Sequence, residues 1–202
     1  MRISPDRAPL PRVLAAAATL GVALLLVGVG TAGPGAERAA AAGTSCAYAG
    51  DPLRQLSIGA LRYSVACLIN EERASSGLAR LTSRRRLYRA ARHHNADMQI
   101  NIHHMTHTSS NGDSMSTRIR RYGYMSGASR WSVGEIIGEG WGSNETPLQI
   151  MNAWLRSPGH DKVIHTARYR DFGVAARYGT AENPNASGAI FTVDFGRRNP
   201  AL

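Results

Sequence analysis

Apolar side chains return at helical spacing through Leu61, Val65, Leu68 and Ile69, which predicts a helix over residues 60–76 stopped by Gly77. A second helix is predicted over residues 83–102, with Leu87, Ala91, His94, Met98 and Ile102 on one face. A histidine on that face reads as a core residue hydrogen-bonded to its neighbours. The polar run Thr106 to Gly112 ends the helix near His104, leaving His103 and His104 at the negative end of its dipole. Asp113 or Ser114 then caps a short helix bearing Met115, Ile119 and Tyr122. A Gly- and Ser-containing stretch, residues 123–132, precedes a strand over residues 133–138. In the next helix Thr146 is the N-cap, Pro147 the first helical residue and Gln149 the partner in a capping box, with Leu148, Met151, Trp154 and Leu155 apolar. Ser157-Pro158-Gly159 ends it and leaves His160 just beyond. Two strands, residues 173–178 and 189–195, close the chain around a polar hairpin loop at 179–188, with Phe191, Val193 and Phe195 alternating against Thr192 and Asp194. Helices mostly first and strands mostly last predict an α+β fold. The sheet is expected to be small and antiparallel with helices over it, not doubly wound and parallel.

The N-terminus changes the picture of where this domain works. Arg2, Arg7 and Arg12 lead into an apolar run over residues 13–30, and Ala40, Ala41 and Ala42 offer a cleavage point. Residues 1–42 are therefore expected to be a signal peptide, giving a secreted protein. The alternative is an uncleaved anchor holding the protein to the outer face of the cytoplasmic membrane, since the run is nearly long enough to span a bilayer. Residues 43–55 form an N-terminal tail and residues 56–197 a single domain. In an oxidising compartment Cys46 and Cys67 are expected to pair, tying the tail to the first helix; closing such a loop stabilises by about 3 kcal/mol.

Charge adds less. Of 24 basic and 14 acidic residues in the chain, 20 and 12 lie in residues 43–202, a net +8, and Lys162 is the only lysine. The run Arg84-Arg85-Arg86 reads as a solvated helix start, with electrostatic contact to anionic polymers or membrane surfaces as the alternative. Sparse aromatics, no recognisable nucleic-acid module and export argue against nucleic acid as a partner.

Candidate chemistry is confined to a few positions. His107 sits in a Thr-flanked turn, His160 follows a Pro-Gly break, and Glu135 leads an apolar strand. Two imidazoles and a carboxylate are an acceptable donor set for zinc or another divalent ion. They also make a stable hydrogen-bonded cluster with no metal. There is no G-x-S-x-G elbow, no H-E-x-x-H, and no unpaired cysteine to act as a nucleophile.

Several segments together resemble the CAP superfamily of SCP-like extracellular domains, in its bacterial secreted form. These are Cys67-Leu-Ile-Asn70-Glu-Glu-Arg73 with Ser76-Gly-Leu78; the helix Ala90 to Met98 with His94; His107-Thr-Ser-Ser-Asn-Gly-Asp113; Gly134-Glu135-Ile-Ile; Asn152-Ala-Trp154-Leu-Arg-Ser-Pro-Gly-His160; and Phe172-Gly-Val174 with Asp194-Phe-Gly196. The resemblance covers about residues 56–197. It implies an α-β-α sandwich with a central cleft holding two histidines and two acidic residues, where some relatives bind a divalent metal. His107, Glu135 and His160 match three of those positions. Ser157 stands where many relatives carry the second glutamate, and Glu139, on the same strand face as Glu135, is a candidate substitute.

Two functions follow as expectations. The first is a secreted binding or interaction module at the cell envelope or outside the cell, contacting an envelope component, a lipid or a protein and needing no cofactor. The alternative is a divalent-metal-dependent hydrolase, with His107 and His160 holding the ion and Glu135 as general base; a serine version would use Ser109, Ser110 or Ser157. The missing second carboxylate weighs toward binding. A third reading is a structural envelope protein that displays a stable surface and is held near anionic polymers by its charge.

Overall fold

In the computed structural model, which describes residues 44–142 and 145–200, Ser57 caps the first helix, α1 (Ile58–Ser75), by accepting from the Ala60 amide. The expected signal segment, residues 1–42, lies outside the described residues. Among those described, no helix is long and apolar enough to cross a membrane. The tail ahead of α1 is packed rather than merely tethered. Cys46 bonds Cys67 across 21 residues, Leu53 is buried in a short 3-10 turn (Leu53–Gln55), and the Leu148 amide donates to the Ala49 carbonyl.

A two-residue strand, β1 (Thr82–Ser83), precedes α2 (Arg85–Asp97). That helix does not run on to residue 102 as an α-helix. Its last turn, Met98–Ile102, is π-helical and ends at His103 in the left-handed region, φ 60°. Gln99 is thereby turned inward, donating to the carbonyls of Tyr178 and Thr180. Ser114 is the cap of α3 (Met115–Arg121), accepting from the Thr117 amide. β2 (Ala128–Trp141) is longer than the expected strand at both ends. Thr146 caps α4 (Pro147–Arg156) as expected.

The Pro-Gly break after α4 corrects one expectation. Pro158 does not release the chain into a loop; it occupies the first position of a further helix, α5 (Pro158–Ile164), whose first turn carries His160. Proline lacks only an amide that a first helical turn leaves unpaired anyway, so a residue that ends one helix can begin the next. The position of α5 is fixed from below by Arg73. Buried in α1, it donates to the carbonyls of Ala79, Ile164 and Thr166, the Ile164 carbonyl being at the end of α5.

β3 (Asp171–Tyr178) and β4 (Gly188–Pro200) complete a sheet of order β1-β3-β4-β2. The β3–β4 and β4–β2 pairs are antiparallel, as expected, while β1 adds a parallel edge that makes the sheet mixed. Period-two alternation sends the two faces into different layers. Ile136, Phe172, Val174, Phe191, Val193 and Phe195 pack against Leu61, Val65, Ile69, Met151, Trp154 and Ile164 of α1, α4 and α5. The opposite face receives α2 and α3, with Leu87, Ile119 and Tyr124 in one cluster and Met98, Ile137 and Ile190 in another. Each large apolar side chain so buried stabilises by roughly 1.5–3 kcal/mol relative to exposure. The α2 layer sits so close that a Cβ on Gly173 would collide with the Leu87–Tyr88 backbone. The result is the expected α+β sandwich of helices, sheet and helices.

Candidate functional site

Glu135 lies on the α2-facing side of β2, among residues the sheet needs to keep apolar, so its charge requires partners. It has two. The His107 Nδ1–H donates to Oε1 at 2.8 Å, and the Arg118 guanidinium of α3 donates through Nη2 to Oε2. The carboxylate side chain is 1% exposed and the His107 side chain 53%, which settles their order. Glu135 is the buried support and His107 is the group presented outward. Burial alone would raise Glu135; the His107 hydrogen bond and the Arg118 charge outweigh it and hold the carboxyl below its ordinary value.

Arg118 organises the loop that carries His107. Its Nη1 donates to the Ser109 hydroxyl at 2.8 Å and to the His107 carbonyl at 3.4 Å. A few residues on, Ser110 donates through its amide and hydroxyl to Asp97. His94 is fully buried beneath this loop; its Nε2–H donates to the Thr106 carbonyl at 2.7 Å, leaving Nδ1 without a partner. Burial, the largest cause, holds His94 below its ordinary value, so the ring is neutral at pH 7.

His160 enters from α5 on another segment and is half-buried. Burial lowers its pKa, and the nearby His107 lowers it further. Neutral His160 is therefore favoured.

One member of the cluster was not singled out from the sequence. Asp194 of β4 stands opposite Glu135 in the antiparallel register. It is completely buried, and among the described residues neither oxygen meets an N–H or O–H donor. Burial, then the charge of Glu135, raises Asp194 well above the ordinary carboxylate range. The proton thus resides on Asp194 and the charge on Glu135, whose partners stabilise it. Asp194 was read as one of the polar positions alternating with Phe191, Val193 and Phe195. The signal that it is buried was the apolar face of the second predicted helix, which must cover that side of the sheet. Arg118 gave no such signal, since its partner Glu135 lies 17 residues away in sequence.

The other expected positions are placed elsewhere or are engaged. Glu139 accepts from the Ala181 amide at 2.7 Å and so secures the β3–β4 connection. Ser157 is the residue between α4 and α5. Arg84 pairs with Asp171 at 2.7 Å, and Arg86 donates to the Gly123 carbonyl. Among the described residues, the set of three donors whose ligand atoms lie within 4.8 Å of one another is Cys46, Cys67 and Glu71, and its two sulfurs are joined in the disulfide. What these residues offer a divalent ion is the Nε2 of His107, whose Nδ1 is engaged by Glu135, together with the His160 ring. A carboxylate behind Nδ1 is the arrangement that orients metal-ligating histidines.

Residues 67–195 match the model of the CAP (cysteine-rich secretory protein) family. An outer surface protein of Borrelia burgdorferi superposes with a TM-score of 0.59 at 24% identity, over 71% of this chain and 97% of that protein. An extracellular protein of Bacillus anthracis containing an SCP domain superposes with a TM-score of 0.53 at 21% identity, over 70% of this chain but 44% of that one. At these identities the likeness is one of fold. A comparison with curated proteins finds no match.

Proposed function

Because the chain belongs to the CAP (cysteine-rich secretory protein) family, we propose that it is a secreted or envelope-associated binding module whose cleft presents two imidazoles, His107 and His160, to its ligand. The carrying observation is that both oxygens of Glu135 are engaged, one by His107 and one by Arg118. A carboxylate in that position orients a histidine; it is poorly placed to act as a free general base. The nearby hydroxyls support the same reading. Ser109 accepts from Arg118 and Ser110 donates to Asp97, so neither is offered to His107 as a nucleophile. An extracellular setting is supported by the two related structures described as outer surface and extracellular proteins.

A divalent ion is a second reading, favoured by the Nε2 of His107, whose Nδ1 is engaged by Glu135, together with a neutral His160. When bound it would supply Lewis acidity, with waters filling the positions the protein leaves open. Calorimetric titration of the protein with zinc, beside a His107→Ala/His160→Ala variant, tests it. A site tighter than about 0.1 mM, near 5.5 kcal/mol at 25 °C, that disappears in the variant supports the ion; no such site in the wild type removes it and leaves the binding module.

A further inference from the structure

A concavity lies over the solvent side of α2, and none of His107, Glu135 and His160 is among its lining residues. It has a volume of about 730 Å³, and its walls come from α2, Tyr122 and the end of β3. Arg89 and Arg92 stand one helical turn apart on one wall, and Arg177 reaches in from β3 on the other. Among the described residues, no carboxylate lines it. Among the described residues none of these three arginines forms an ion pair, although Arg84, Arg118 and Arg121 all do. Arg177 donates through Nε to Gln99, whose amide is anchored to β3 carbonyls, so its guanidinium is held in place. The walls are also aromatic. Arg89 lies 5.6 Å from the Tyr122 ring, Tyr88 carries Arg62 at 3.8 Å, and Tyr178 is 48% exposed while its hydroxyl is fixed to the Leu56 carbonyl.

Gathering like charges without counter-charges opposes folding, and is retained where a ligand supplies the opposite sign. Arginine forks suit carboxylate, sulfate or phosphate groups bidentately. Rigid, part-exposed tyrosine rings supply flat apolar area at low entropic cost. A membrane would meet such charges on a convex surface rather than in a concavity between helix and sheet.

We propose that this groove is a binding site for an acidic saccharide, with Arg89, Arg92 and Arg177 taking its anionic groups and Tyr178 packing on a sugar ring. The site is independent of the histidine cleft, so either can fail without the other.

The test is titration of the protein with oligogalacturonate, a neutral oligosaccharide of equal length, a single-stranded oligonucleotide and vesicles containing anionic lipid. Three variants accompany the wild type: Arg92→Gln/Arg177→Gln, Tyr178→Ala, and a charge-matched control, Arg54→Gln/Arg156→Gln, at exposed positions outside the groove. Oligogalacturonate is expected to bind, to weaken with salt, and to lose about tenfold in affinity in the groove double variant as two charge-assisted contacts go. The control pair should stay within about twofold. Tyr178→Ala should weaken binding even at high salt, where charge is screened. The proposal is overturned if the control pair loses as much as the groove pair, which would make net charge the whole effect. It is equally overturned if oligogalacturonate does not bind, or if the oligonucleotide or vesicles bind more tightly through the same arginines. Thermal unfolding of each variant confirms that the folded protein is what was titrated.

Discussion

Asp194 stands directly across the β2–β4 ladder from Glu135, and the two carboxyl groups share one buried position behind His107. Only one of them has partners that favour its charge. Glu135 is held ionised by His107 and Arg118, and Asp194 is held protonated by burial and by Glu135. The pair is therefore an anion resting on a neutral acid, and the anion steers the exposed imidazole.

That division of roles predicts the effect of Asp194→Asn. A carboxyl whose pKa is raised on folding contributes favourably below its unfolded value and costs stability as pH rises through its folded value. Asparagine mimics the protonated acid and removes that cost. The variant is expected to be more stable than the wild type at neutral pH, by roughly 1–3 kcal/mol, with the advantage shrinking toward acid. Urea denaturation across pH measures it; a variant less stable at every pH would refute the assignment of the proton.

Arg118 should matter for the opposite reason. Arg118→Met leaves the Glu135 carboxylate buried without its cation and releases the hydrogen bonds to Ser109 and the His107 carbonyl. Breaking a buried pair from one side costs about 3–5 kcal/mol, and Arg118→Lys is expected to fall in between. A loss below about 0.5 kcal/mol, the size of an ordinary surface substitution, would show that the ion pair does not hold the loop.

Acid should unsettle this domain through two of its histidines. His94 and His160 both have folded values below the ordinary 6.5, chiefly through burial. A group of this kind adds no penalty above its unfolded pKa, and stability falls as pH drops through about 6.5 toward the folded value. In the Asp194→Asn background, which removes the opposing proton uptake by Asp194, the thermal midpoint is expected to be lower at about pH 5.5 than at about pH 7.5, and His160→Gln should flatten part of that slope. A midpoint unchanged over the interval in that background would contradict the neutral state of both rings.

Much of the fold was legible because its elements have local causes. Ser57, Ser114 and Thr146 cap helices through their own neighbours, and Phe191, Val193 and Phe195 alternate because a strand must. The disulfide followed from two cysteines behind an expected export signal. The site was only half legible. His107 and Glu135 are hydrogen-bonded to each other, yet their supports depend on the layer that α2 and α3 place over the sheet. Asp194 is polar by composition and buried by packing, which period-two alternation alone cannot distinguish. Pro158 misled because the same residue can end one helix and open the next. The π-helical turn at Met98–Ile102 likewise has no signature in an apolar stripe that continues through Ile102.

The central claim is that Glu135 holds a proton on Nδ1 of His107 through their hydrogen bond. Long-range proton–nitrogen correlation spectra of imidazole-labelled protein at neutral pH report that tautomer directly. The account predicts a His107 ring protonated at Nδ1. A ring protonated at Nε2, the form favoured when no partner holds the other nitrogen, would contradict it.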